Sequence, residues 1–106
     1  MLLNSIQLKL EAKLFKGFSD TSRLAILESL SKKPLNVSEI VEVTTLSQSN
    51  VSMHLACLLD CGLVVNKKEG RNSYYEISGK EVKEIVELAR KIVSNHAKAI
   101  FECTRY

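Results

Sequence analysis

Three cysteines carry most of the reactive chemistry of this 106-residue chain, and two of them, Cys57 and Cys61, stand four residues apart. On a helix that spacing stacks their side chains on one face, with Cβ atoms about 5–6 Å apart. A relaxed disulfide needs Cβ atoms about 4 Å apart, whereas two sulfurs can each sit about 2.3 Å or somewhat more from a common ion. The geometry favours a metal over a crosslink. A role as small buried hydrophobes stays open beside it, since free cysteines often serve that way. Cys103 falls in the polar ending Glu102-Cys103-Thr104-Arg105-Tyr106. From there a thiol can swing across a helix surface, of its own chain or of a second copy, and complete a three-sulfur site. Three thiolates select soft metals over magnesium or calcium. His54 shares the face of Cys61, where it could serve as a fourth ligand or support one, but reads chiefly as a surface or phosphate-facing side chain. His96 has no Cys, His, Asp or Glu three or four residues away and reads as helix surface or interface.

The elements that must position these thiols are mostly helical. Leu8, Ala12, Leu14 and Phe15 recur at helical spacing among Lys9, Glu11, Lys13 and Lys16, giving an amphipathic first helix that ends near Gly17. Asp20-Thr21-Ser22 offers a helix cap, and Leu24, Ile26, Leu27 and Leu30 give a second helix over about 21–32 its buried face before Pro34 forbids continuation. Asn36 caps a short third helix containing Val37, Ile40 and Val41, and a fourth begins at Ser47 after the turn Thr44-Thr45-Leu46. Beyond Gly62 the period changes. Leu63-Val64-Val65 and Tyr74-Tyr75-Glu76-Ile77 read as strands joined by the polar turn Lys67-Lys68-Glu69-Gly70-Arg71-Asn72, a hairpin with a basic tip. From Glu81 the apolar positions Val82, Ile85, Val86, Leu88, Ala89, Ile92, Val93 and Ala97 return to the helical period as far as about Ile100. The fold class is therefore mainly α with a β-hairpin wing, a winged helix-turn-helix in one domain over residues 1–106. The apolar stripes of the first and last helices exceed what one small core can cover, so a homodimer closed by those two helices is expected.

A winged helix lays its second motif helix in a major groove and lets the hairpin reach flanking phosphate or minor groove. Val51, Leu55 and Leu58 fall within roughly 60° of one another and form the core face of helix four. Ser49, Ser52, Met53 and Ala56 lie on the far side, with Gln48 at the exposed start. Gln48, Ser49 and Ser52 can offer amide and hydroxyl groups to base edges or phosphates, and Met53 can offer apolar contact. Helix four carries no Lys or Arg. The attraction to the DNA backbone then falls to Lys67, Lys68 and Arg71 on the wing, doubled in a dimer.

Composition agrees and excludes. Fifteen Lys and Arg against twelve Asp and Glu leave a net charge of +3, which permits a nucleic-acid partner without requiring one. Residues 36–66 carry no Lys or Arg, so the basic groups flank a neutral-to-acidic middle. With 45% hydrophobic and 25% charged residues the chain lies outside the disordered classes. No apolar run approaches about 18 residues and no signal peptide is read, which points to a cytoplasmic protein with free or metal-bound thiols and no membrane contact. No motif pairs a nucleophile with a base, so an enzyme is the least favoured class.

The joint pattern resembles the ArsR/SmtB family of metal-sensing winged-helix transcription factors over about residues 8–100. Leu14-Phe15-Lys16-Gly17-Phe18-Ser19-Asp20-Thr21-Ser22-Arg23-Leu24-Ala25-Ile26-Leu27 is similar to the family's entry to its second helix. Leu46-Ser47-Gln48-Ser49-Asn50-Val51-Ser52-Met53-His54-Leu55 is similar to its recognition helix, and Glu69-Gly70-Arg71 with Tyr74-Tyr75 to its wing. The resemblance implies DNA contact by Gln48, Ser49 and Ser52, while Met53 departs from the histidine many members carry there. Cys57-Leu58-Leu59-Asp60-Cys61-Gly62-Leu63-Val64 plus a C-terminal cysteine resembles the mycobacterial cadmium- and lead-sensing branch, which implies metal ligation by Cys57, Cys61 and Cys103. The family's Cys-Val-Cys site would fall on Asn36, Val37 and Ser38, which supply no thiolate. Taken together, the resemblance implies a homodimeric repressor that holds double-stranded operator DNA when metal-free and is released by Cd(II) or Pb(II), with Zn(II) a weaker inducer. Two other readings stay open: a thiol redox or persulfide-sensing repressor pairing Cys103 with Cys57 or Cys61, and a protein-interaction module that no longer touches DNA.

Overall fold

Every helix but the last starts on a side chain that accepts from its own first turn. The computed structural model describes residues 3–105, so Met1, Leu2 and Tyr106, the ends of the 1–106 domain, lie outside the described residues. The Asn4 side-chain oxygen takes the amides of Ile6 and Gln7 at 2.9 and 3.1 Å and opens α1 (Ser5–Phe18). Asp20 takes the Arg23 amide at 3.0 Å and opens α2 (Thr21–Ser29). The Arg23 guanidinium then reaches back, its Nε to the Gly17 carbonyl at 2.9 Å and its Nη2 to the Lys16 carbonyl at 3.0 Å. Arg23 thus gives the Gly17 carbonyl a donor and adds to the Lys16 carbonyl, which also accepts from the Ser19 amide and hydroxyl at 3.2 and 3.1 Å.

α2 stops at Ser29 rather than near residue 32. The Ser29 and Ser31 hydroxyls donate to the carbonyls of Ile26 and Glu28, the local competition by which serine unwinds a helix end ahead of a proline. Asn36 and Glu39 form a reciprocal capping box at 2.8 and 3.0 Å that starts α3 (Val37–Thr44). Replacing Asn36 by Ala is expected to cost about 1 kcal/mol, a fall of about 4–8 °C in the melting temperature followed by circular dichroism. Thr45, at φ 61°, turns the chain left-handed. Ser47 is the cap rather than the first residue of α4 (Gln48–Asp60), accepting from the Asn50 amide at 3.2 Å.

The wing is longer and its turn tighter than the sequence suggests. β1 (Val64–Glu69) and β2 (Asn72–Ile77) pair antiparallel from Val64 opposite Ile77 to Glu69 opposite Asn72, leaving only Gly70 and Arg71 as the turn. Gly70, at φ 61°, supplies the positive angle that a two-residue hairpin needs at its first central position. Lys67, Lys68, Glu69 and Asn72 are therefore ladder residues, not turn residues. Leu35 adds a short third rung: it exchanges backbone hydrogen bonds of 3.0 and 2.8 Å with Tyr75.

Ile26 and Leu27 of α2, Ile40 of α3, and Val51, Leu55 and Leu58 of α4 meet in the core, closed by Leu35, Leu63, Val64 and Val86. α5 (Lys80–Glu102) begins and ends slightly beyond the expected span and departs from helical angles at His96, with φ −130° and ψ 24°. Only its first turns reach the core, through Val82, Ile85 and Val86. The remainder projects with Leu88, Ile92 and Val93 in the open, and the apolar residues Ile6, Leu10 and Phe15 of α1 are exposed as well. Among the described residues, no helix is long and apolar enough to cross a membrane.

Candidate nucleic-acid interface and thiol pair

α4 has two working ends. At its N-terminal end Gln48, Ser49, Ser52 and Met53 are all exposed, while Val51, Leu55 and Leu58 anchor the opposite side in the core. Ser49 Oγ lies 3.3 Å from the capping Ser47 Oγ, so its hydroxyl is already oriented by the cap. His54 does not face outward for phosphate. It is half-buried, and its Nε2 lies 4.0 Å from Asp20 Oδ1 at the start of α2. The Arg23 amide, and to a smaller extent the nearby cationic groups, hold the Asp20 carboxyl below its ordinary range. His54 and Asp20 tie α4 to α2, a contact between distant segments that no local spacing announces.

On the wing, successive residues of β1 point to opposite faces. Lys67 and Lys68 therefore do not act side by side, and Arg71 alone stands at the tip. Lys67 Nζ is held 2.5 Å from Glu76 Oε1, its diagonal neighbour on β2. Any phosphate approaching Lys67 must share that charge with a carboxylate. Glu76→Gln is expected to tighten binding to any duplex a few-fold at low salt, an effect that fades as salt is raised; titration at two ionic strengths checks it.

The C-terminal end of α4 carries the thiols. Cys57 sits in the last turn and Cys61 is the C-cap, its amide donating to the Cys57 carbonyl at 3.0 Å. Both side chains are exposed, which removes the reading of them as small core hydrophobes. Desolvation first, and then the adjacent Cys57 thiol, push the Cys61 thiol up, with Lys13 of α1 pulling weakly the other way. Cys61 opens into a cleft of about 270 Å³ between α1 and the end of α4, walled by Leu10, Lys13, Leu14 and Leu63. α1 approaches closely here because Gly17 has no side chain; a Cβ would lie 3.2 Å from Leu63 Cδ1. The C-terminal end of α4 thus faces, across this cleft, the helix that carries one of the two open apolar stripes. Lys13 was not legible as a neighbour of Cys61, because the contact joins helices 48 residues apart in the sequence.

Cys103 is the C-cap of α5, half-buried, its amide 3.3 Å from the Ile100 carbonyl. Within one chain, and among the described residues, no three His, Cys, Asp or Glu side chains converge on a point that could hold a metal ion. The fold brings Cys57 and Cys61 together and leaves Cys103 apart from them. Two adjacent exposed sulfurs suit a soft cation, and one chain supplies them without the third donor.

Residues 20–65, from the α2 cap to the start of the wing, match the bacterial regulatory proteins of the arsR family. The chain is 35% identical over 94 residues, 89% of its length and 75% of the relative's, to a probable mercury resistance operon repressor of Streptomyces lividans. It is 39% identical over 79 residues, 74% of its length and 73% of the relative's, to the transcriptional activator HlyU of Vibrio cholerae. Its fold superposes with a TM-score of 0.80, at 27% identity and over 90% of this chain and 88% of the other, on the homodimeric winged helix-turn-helix DNA-binding domain Mb0332 of Mycobacterium bovis. These proteins are regulators, not enzymes. The arrangement of α3, α4 and hairpin, and likeness extending over most of both chains, lead to one conclusion: the chain belongs to the arsR family of bacterial regulatory proteins.

Proposed function

We propose that the protein is a homodimeric repressor that binds double-stranded operator DNA in its metal-free state and releases it when Cd(II) or Pb(II), or Zn(II) more weakly, binds Cys57, Cys61 and Cys103. DNA contact falls to Gln48, Ser49, Ser52 and Met53 of α4 and to Lys67, Lys68 and Arg71 of the wing. The observation that carries the reading is the exposed thiol pair at one end of the helix whose other end presents the polar, groove-sized face. An ion held there adjoins both α4 and, through the cleft at Leu10 and Lys13, α1. Because the third sulfur stands apart within a chain, Cys103 is drawn from the second copy, across the interface made by α1 and α5. Kinship to a mercury resistance operon repressor supports a thiophilic cation as the signal.

The test uses a duplex recovered from a random-sequence pool by the protein itself. Cadmium is expected to weaken binding to that duplex by about 5–150-fold, and saturating duplex to weaken cadmium by the same factor. Unchanged duplex affinity at saturating cadmium overturns the reading. Binding the ion must expel thiol protons, including the one held by the raised Cys61 group. Cadmium affinity is therefore expected to rise with pH through the neutral range, by up to about tenfold per unit for each proton released, in a competition titration against a chelator of known pH dependence.

A further inference from the structure

Below the wing, two segments nearly fifty residues apart bring four lysines to one open cleft. Lys32 and Lys33 come from the turn after α2, and Lys80 and Lys83 from the first turn of α5; the cleft measures about 290 Å³. Glu76 is the one acidic residue lining it, and its carboxylate is already taken by Lys67. Among the described residues none of the four lysines is held in an ion pair. On a chain of net charge +3, four cations outside any ion pair at one place are a local excess that favours an anionic partner. The start of α5 lies in the same cleft without a side-chain cap from Gly79, and the Glu81 carboxylate of its first turn, 3.3 Å from where a Gly79 Cβ would stand, offsets part of that field.

The cleft is also not isolated. Lys33 and Pro34 line a second, adjoining cleft of about 340 Å³ that runs up the flank of the wing past Lys67 and Tyr74, with Glu69 its one acidic lining residue. A single small anion has no use for such a track, whereas a polyanion does. We propose that this track is a second DNA-backbone surface, taking the phosphates of duplex that extends past the core site on each side of the dimer. The inference rests on the DNA-binding reading above and extends it from the groove-facing helix to the outer flank of the wing. The positive charge sits on the turn after α2, the start of α5 and the wing flank, while α3 and α4 carry no Lys or Arg.

The experiment compares two duplexes: the selected site trimmed to the shortest fully bound length, and the same site with about one helical turn of mixed sequence added on each side. The wild type is expected to bind the longer duplex more tightly at low salt, on the order of tenfold, with a salt slope steeper by about 0.9 for each added phosphate contact. The variant Lys32→Ala/Lys33→Ala/Lys80→Ala/Lys83→Ala is expected to bind both duplexes alike, with its affinity for the short one unchanged, which also shows that it folds. The corresponding Lys→Arg variant is expected to keep the length advantage. Equal binding of both duplexes by the wild type overturns the inference while leaving the DNA-binding reading intact, as does a length advantage that survives in the Ala variant. Loss of the length advantage to millimolar inorganic phosphate at matched ionic strength overturns it in favour of a free-phosphate site. Failure of the wild type to bind even the short duplex removes the DNA-binding reading itself and this inference with it.

Discussion

Cys61→Ser is expected to bind DNA as the wild type does and to lose its response to cadmium, the ratio of affinities without and with the ion falling from about 5–150 to near one. The fold should not notice the change. Cys61 caps α4 through its backbone amide, its side chain is exposed, and serine differs by one atom. What disappears is a thiolate donor, and a hydroxyl is a poor substitute for a soft ion. Cys57→Ser and Cys103→Ser should do the same, although Cys103 lies on a different element. That equality separates the readings. A full response retained by Cys103→Ser would leave a two-sulfur site and remove the tail from the mechanism. Release of DNA by an oxidant in metal-free buffer, with cadmium giving no thiolate charge-transfer band, would instead establish a disulfide-sensing repressor. The absorbance and anisotropy of the same samples report both quantities.

The parts legible in the sequence were those governed by local period and local chemistry. The core face Val51, Leu55, Leu58 follows from spacing alone, and all three are buried. Asn36 and Asp20 announce helix starts because capping acts over three residues. Errors arose where local signals compete or end. The run Lys67 to Asn72 reads as a polar turn by composition, yet a positive φ at Gly70 lets the ladder run to Glu69. In the α2 end, hydroxyl-to-carbonyl bonds from Ser29 and Ser31 outweigh a propensity for continuing to Pro34. The site was half legible. The spacing of Cys57 and Cys61 fixes their shared face, but His54 facing Asp20, Lys13 beside Cys61 and the lysine cleft all join distant segments. No one-dimensional pattern records such contacts. The separation of Cys103 from the pair is of the same kind, since it depends on where a 23-residue helix delivers its end.

Ile92→Glu is expected to convert the dimer to monomers at micromolar concentration and to weaken binding to the two-half-site duplex by about 10²–10⁴-fold, the advantage of joining two modest sites in one particle. Ile92 is 55% exposed in the single chain, next to Leu88 and Val93 on a helix whose far half touches no core, and Phe101 at its end is 90% exposed. Ile6, Leu10 and Phe15 on α1 are open as well. Apolar surface on this scale, on two long helices, is uncommon on a monomer and marks a surface meant to be covered. A carboxylate buried there must shed its water without a partner, and the interface opens instead. Ser94→Glu adds the same charge on the polar side of α5 and should leave the dimer whole, so the pair separates charge from position. Sedimentation measures the assembly and anisotropy the binding. If the third sulfur is supplied by the second copy, the Ile92→Glu monomer must also bind cadmium as Cys103→Ser does, with two sulfurs. A monomer that keeps the full three-sulfur absorption band would place Cys103 with its own chain's pair and sever the link between ion and dimer.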